Sequence, residues 1–319
     1  MKTCAAVLAT VGLLMSPTLL AEPAFAVRNE ASLSRSTALP ALGEARVLGQ
    51  GQRAWGFNLD WSNEYVSSAN ARESLLIDGE SERLTFGLRQ GLAPGVELGI
   101  AVPLLFTGGG ALDGLIEGWH EAFGLPNGGR EQRARDRYAV QYIKDGQSLV
   151  DVTEGSEGIG DVELSAGYAL REDLALRAMA RLPTGRSSRL LGGNAGGALW
   201  FDYDPFSGHE RWFGYLSAGA SYNEQVHDLG AQQHQLVGLG GIGLGYRLIP
   251  ALALITQFNL QTPLYKDSSL KALDGPGGQL AFGGRITLSP RLALDIGVQE
   301  DLLLSSSPDF SIHLGVAYR

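Results

Sequence analysis

The sequence predicts an all-β fold: a transmembrane antiparallel β-barrel of about 12 strands, with a short amphipathic helix in one long external loop and an N-terminal signal peptide. Three observations carry that reading. The chain opens on an export signal, apolar residues recur at every second position from Arg53 onward, and tight and long connections alternate.

The export signal comes first. Lys2 precedes an apolar stretch from Ala5 to Leu20, and Ala24-Phe25-Ala26 puts small residues at the spacing a signal peptidase reads. Residues 1–26 are expected to be removed, with cleavage after Ala21 as the alternative. A membrane anchor needs ~20 apolar residues, and Pro17 interrupts this run. The single cysteine, Cys4, lies in the removed segment, so no disulfide or thiolate metal site is expected in the mature chain. Net charge is −9, and nothing in its distribution suggests a nucleic-acid partner. Forty-four glycines, 18% charged residues and the lack of long apolar runs argue against a helical membrane protein. Residues 27–52 show little periodicity. They are expected to form either a periplasmic tail, the simpler reading, or a plug segment tucked into the barrel.

From Arg53 the alternation is sustained. Val96, Leu98, Ile100, Val102, Leu104 and Phe106 are large and apolar, against Glu97, Gly99, Ala101 and Pro103. The same parity returns in Val162–Leu170, Leu174–Leu182, Leu236–Leu248, Leu252–Leu260, Leu280–Leu288 and Leu292–Val298. Such runs are strands with one apolar face and one polar or small face. Short turns at Pro94-Gly95, Glu172-Asp173, 205–210, Pro250 and Pro290 alternate with long connections at 66–71, 107–157, 184–195, 224–233, 264–277 and 301–307. Five short turns and six long loops imply twelve strands, with both ends of the barrel, 53–319, on the short-turn side. Lipid cannot hydrogen-bond an open edge, so the sheet must close. A soluble β-sandwich would not need the loop asymmetry.

Parity assigns a lumen lining of Asp60, Arg83, Arg89, Glu97, Asp161, Glu163, Arg177, Arg181, Arg247, Arg285, Asp295 and His313. The charges are nearly balanced. They either pair across the interior as structural ties or select a small polar or amphipathic solute. Trp55, Phe57, Trp61, Tyr65, Trp200, Trp212, Tyr215 and Tyr222 suit interfacial girdles, with core packing as the alternative for Trp200.

The 107–157 connection departs from the pattern. Leu112, Leu115, Ile116, Trp119 and Phe123 have helical spacing, opposite Asp113, Glu117, His120 and Glu121. This extracellular loop is the expected gate, through Asp113, Ile116, Glu117, Trp119, His120 and Arg130. A metal or acid–base cluster at His120 is a weaker reading than solvated loop polarity. Arg130, Arg133, Arg135 and Arg137 suit lipopolysaccharide phosphates or the acids of the same loop. A hairpin turning at Asp145-Gly146 follows.

GGALDGLIEGWHEAFGLPNGGR (109–130) resembles the signature of a bacterial family, domain-of-unknown-function family 3187. The likeness extends to Arg28-Asn29, Trp61-Ser62-Asn63, Asp78-Gly79-Glu80 and Gly160-Asp161. The resemblance implies an exported outer-membrane protein and supplies no catalytic residues.

Two chemical motifs fail on context. Gly238-Leu239-Gly240-Gly241-Ile242-Gly243 has the glycine spacing of a dinucleotide loop, but it lies inside a strand pattern with no helix after it. Its glycines suit crowding by a neighbouring element. Ser311 and His313 share a face, yet no nucleophile turn accompanies them, so a lipid hydrolase is the less favoured alternative and no enzyme or cofactor is expected. The final stretch, DFSIHLGVAYR, should place Phe310, Ile312, Leu314, Val316 and Tyr318 toward lipid. Phe310 and Tyr318 are the expected signal to the barrel-assembly machinery. The expected function is a passive channel or binding site for a small, hydrophobic solute in the cell outer membrane, in contact with lipid and lipopolysaccharide. A non-transporting barrel serving envelope integrity or surface interaction is the alternative.

Overall fold

Period-two alternation puts every second side chain on one face of a strand, and the chain folds on that pattern. The structure is a computed structural model that describes residues 24–112, Gly114, Gly118, 136–225, 229–301 and 306–319. Its strands in chain order are β1 (Arg53–Ala69), β2 (Glu73–Ala93), β3 (Val96–Gly108), β4 (Ala139–Lys144), β5 (Gln147–Val152), β6 (Ser156–Ile159), β7 (Val162–Arg171) and β8 (Leu174–Leu182). They continue with β9 (Gly196–Tyr203), β10 (Trp212–Asn223), β11 (Leu236–Ile249), β12 (Leu252–Gln261), β13 (Gly277–Ser289), β14 (Leu292–Asp301) and β15 (Phe310–Tyr318).

Twelve of these, β1–β3 and β7–β15, form a closed antiparallel barrel. Closure is the β1–β15 pairing, with Trp55 opposite Tyr318 and Asn63 opposite Phe310. The five short turns all lie at one end. Four of them, at 91–93, 169–171, 247–249 and 287–289, carry a register shift, the extra residue that lets a tight turn follow the strand twist. The first of the expected long connections is not a loop where the polar stretch 66–71 suggests one. β1 and β2 run on through it to a tight Asn70–Arg72 turn, because the outer end of β2 gains a partner: Asp78 pairs with Ala139 and Glu73 with Lys144 of β4. β4 and β5 form the hairpin at Asp145-Gly146, with φ of 50° and 79° as a two-residue turn of this hand requires. β6 continues the line of β7 along β3 across a break at Gly160-Asp161.

The outer wall is a band of exposed apolar side chains, among them Phe57, Phe86, Ile100, Leu164, Leu199, Ile242, Leu254 and Ile296. Aromatic pairs mark its short-turn end: Trp55 stacks on Tyr318 at 5.3 Å and Trp212 meets Tyr246 at 4.6 Å. Two of the expected girdle aromatics are elsewhere. Trp200 and Tyr215 are 5% and 3% exposed and point inward, since each follows the inward parity of its strand between outward Leu199, Phe201 and Leu216. Phe310 keeps outward parity but is 3% exposed, covered by Leu112 from the long loop.

The interior is filled by the chain that precedes β1. Residues 24–33 rise among the inner faces of β12, β14, β15 and β1, where Phe25 meets Gln257 and His313, and Ser32 N–H donates to Glu64. A turn of 3-10 helix, Ser34–Ser36, reverses the chain beneath Tyr265, whose hydroxyl donates to the Leu33 carbonyl at 2.8 Å. Residues 37–48 then descend along β8–β10 and β3 and leave beside the β2–β3 turn. Above the reversal, Leu75, Ile77, Val140, Tyr142, Val150, Leu229, Leu264, Leu270 and Leu273 form a buried apolar cap continuous with Leu33, Leu39 and Leu42.

Candidate functional site

Beside this strap lies a cavity of about 260 Å³. Strap residues Phe25, Ala26, Pro40 and Leu42 form one wall, and Met179 and Trp200 extend it as an apolar surface. The charged lining residues are Asp60, Arg83, Glu163, Arg285 and Asp295, together with Arg177, which stands beside Met179 on β8 and opposite Trp200 in the β8–β9 register. Toward the short-turn end the cavity reaches Glu44, Arg89, Tyr318 and Arg319.

The charged side is built by registered strands. Arg83 of β2 and Glu163 of β7 meet at 3.1 Å, and Arg28 of the strap adds a second guanidinium to Glu163 at 2.5 Å. Glu30 sits 3.6 Å from Arg83. Arg89 and Arg177 share Glu97, at 3.0 and 2.7 Å, and Arg89 also holds Glu44. Arg285 and Asp295, opposite each other in the β13–β14 register, form a bidentate pair at 2.6 Å. His313 Nδ1 and Asp60 lie 2.7 Å apart across the closing β1–β15 seam. Charges this far from water persist because each meets an opposite charge or a hydrogen-bond partner.

Two arginines of β8 act on the strap itself. Arg177 Nε and Nη2 donate to the carbonyls of Glu44 and Arg46 at 2.5 and 2.7 Å. Arg181 donates to the carbonyls of Arg35 and Thr37 and pairs with Asp161, which also accepts the Gly185 and Gly193 N–H groups. Four residues apart on a strand, the two side chains share the inner face. They pin the descending limb at two heights. From the adjacent strand β9, Asp202, 3.5 Å from Arg177, accepts the Gly43 N–H at 3.0 Å.

The sequence-derived lumen set thus divides. Asp60, Arg83, Arg89, Glu163, Arg177, Arg285 and Asp295 border the cavity. Glu97, Asp161, Arg181 and His313 are buried directly behind or above it. Arg247 stands apart, at the short-turn end of β11, where it donates to the Glu210 carbonyl. The expected gate residues Asp113, Ile116, Glu117, Trp119, His120 and Arg130 lie outside the described residues. The described stem of their loop crosses the outer wall: the Ala111 and Leu112 N–H groups donate to Glu80 at 3.0 and 2.5 Å, and Leu112 packs on Phe310.

What parity alone misses is the apolar wall. Phe213, Tyr215, Val237, Leu239, Ala253 and Ile255 are inward-facing and buried. The signal for it is the glycine run of β11. A Cβ at Gly243 or Gly245 would run into the rings of Tyr215 and Phe213, their register partners. Inward glycines beside an aromatic-bearing strand mark a lumen packed by those aromatics. Ser311 and His313 do not form a nucleophile–base pair: Ser311 bonds Ser62 at 2.8 Å, while His313 turns to Asp60. Among the described residues no group of three His, Cys, Asp or Glu is placed to hold a metal ion.

A family model matches residues 1–319, the whole chain. The chain belongs to the family described as protein of unknown function DUF3187. No curated protein matches it. Among solved structures, it is similar to the COG4313 outer membrane channel from Pseudomonas putida F1, at TM-score 0.56 and 16% identity over 87% of this chain and 98% of that one. A Pseudomonas aeruginosa FadL homologue aligns at TM-score 0.44 and 10% identity, covering 92% and 99%. The P. putida toluene transporter TodX aligns at 0.41 and 13%, covering 85% and 89%. The first of these likenesses supports the barrel fold of this DUF3187 member.

Proposed function

We propose that this DUF3187 protein is an outer-membrane channel for small, predominantly apolar solutes, exported through its signal peptide and inserted by the barrel-assembly machinery. The observation that carries the reading is the cavity of about 260 Å³ lined by apolar and charged side chains together, inside a closed barrel whose outer face is apolar. A dry pocket of ~150 Å³ suffices for one benzene ring, so this space suits a compact solute of one or two rings with at most a small polar group. The COG4313 barrel of P. putida F1 is itself an outer membrane channel, which agrees with that class of activity.

The route is held shut by the 24–48 strap. The long loop is the gate expected from the sequence; the described part of that loop leaves over the outer wall, whereas the strap occupies the bore. Arg177 and Arg181 are the latch, so opening requires exchanging their bonds to strap carbonyls for water or solute. The Arg177→Ala, Arg181→Ala double variant in planar bilayers tests this. Conductance should rise well above that of the parent protein, and liposome uptake of a one-ring hydrocarbon should accelerate. Equal conductance in both forms would remove the latch. The filled lumen also suits the second reading, a non-transporting envelope barrel. That reading requires that neither form passes ions or solute.

A further inference from the structure

The export signal offers two cleavage points, after Ala21 and after Ala26, and the packing of residues 24–26 distinguishes between them. Phe25 is fully buried, and Gln257 clasps its peptide from both sides: the Phe25 N–H donates to Oε1 at 2.8 Å, and Nε2 donates to the Phe25 carbonyl at 3.3 Å. Its ring lies 5.5 Å from the His313 ring. The barrel makes room for it with Gly297, where a Cβ would sit 3.1 Å from the ring. Ala24 is fitted as closely. Its N–H donates to the Gly43 carbonyl at 3.2 Å, and Gly43, at φ +96°, has no space for a side chain between Ala24 and Tyr215.

Cleavage after Ala26 would undo each of these fits. Gln257, 1% exposed, would lose both partners of its amide. A new terminal ammonium would appear on Val27, which is 1% exposed and packed with Phe213, Ala253, Ile255 and Ala281. We propose that the mature chain keeps Ala24, Phe25 and Ala26, that processing occurs after Ala21, and that Phe25 anchors the ascending limb of the strap. Ala21 supplies the small residue at the cleavage position, with Leu19 standing where an A-x-A site has its second small residue. The inference rests on reading the first residues as an export signal and is independent of what the barrel passes.

The test is N-terminal sequencing and intact mass of the full chain, expressed with its own leader and purified from outer membranes. The expected terminus is Glu22, five residues longer than a chain starting at Val27. Ala26 is exposed on the cavity wall, where there is room for a longer side chain, so Ala26→Gln keeps the strap's packing while destroying the second cleavage site. It should be processed like the parent. Phe25→Ala should lower the temperature at which the barrel unfolds in a heat-modifiability gel. A terminus at Val27, accumulation of Ala26→Gln precursor, or an unchanged midpoint for Phe25→Ala would each overturn the proposal. A terminus at Met1 would instead overturn the export signal on which it rests.

Discussion

The two sides of the lumen solve the same problem in opposite ways. On β1–β3, β7 and β8 the inner face carries charges matched across strands, such as Arg83 with Glu163 and Arg89 with Glu97. On β10–β12 it carries Phe213, Tyr215, Val237, Leu239, Ala253 and Ile255, with inward glycines giving the rings their space. The strap is matched to both. Arg28, Glu30 and Glu44 enter the ionic side, and Leu39 and Leu42 the apolar side. The ionic side grips through directional bonds that water can replace, whereas the apolar side holds by shape, which water cannot mimic. On the channel function proposed above, opening would belong to the ionic side and fold specification to the other.

The sharpest way to break this comparison is to cut the ionic grip. Removing one partner of a buried pair costs about 3–5 kcal/mol, so the Arg177→Ala, Arg181→Ala variant should lose several kcal/mol of unfolding free energy in urea titration while gaining conductance. On the apolar side Gly243→Leu should also destabilise the barrel, but without opening it. Overpacking against Tyr215 costs about 1–3 kcal/mol or more, and the expected result is poor assembly, read as loss of the heat-modifiable band, with no gain in conductance. A conducting, well-assembled Gly243→Leu barrel would sink the division of labour. A smaller effect is expected on the outer wall. Tyr318→Ala removes the stack on Trp55, worth about 0.5–1.5 kcal/mol, and should lower outer-membrane yield. Normal yield would count against Tyr318 as an assembly signal.

The smallest effect concerns the cap. Burial alone would raise the Glu73 carboxyl, but the Ser268 hydroxyl, the Ser269 N–H and Lys144 bring it below its ordinary value of 4.5. A lowered folded-state value means that its contribution is complete above the ordinary value and is lost as pH falls through the lowered one. Acidification below about pH 4.5 should therefore loosen the contact between the outer end of β2 and residues 268–269, seen as faster amide exchange there. Glu73→Gln should abolish that pH dependence.

The parts of the fold legible in the sequence are those governed by local period. Leu98, Ile100 and Leu104 alternate against Glu97 and Gly99 whatever the rest of the chain does, and the wall follows. The lumen charges are legible for the same reason. Trp200 and Tyr215 are easily misplaced because an aromatic near a strand end is compatible with either face until its parity is counted from Leu199 and Leu216. The 66–71 stretch reads as a loop because its residues are polar. Residues 66–69 become strand by pairing with 74–77 of β2, which are in turn held by β4, more than sixty positions further along the chain.

Local pattern along the chain carries the export signal as an expectation, the strand period, the turn asymmetry and therefore an even, closed barrel, because lipid permits no open edge. What fills that barrel emerges from long-range packing. Residues 24–48 have no periodicity to betray them; their partners, from Gln257 to Glu97, are scattered over the whole chain and converge only when the wall closes. A segment held by carbonyls and isolated ion pairs leaves no pattern along its own length, so its place was set by the walls around it.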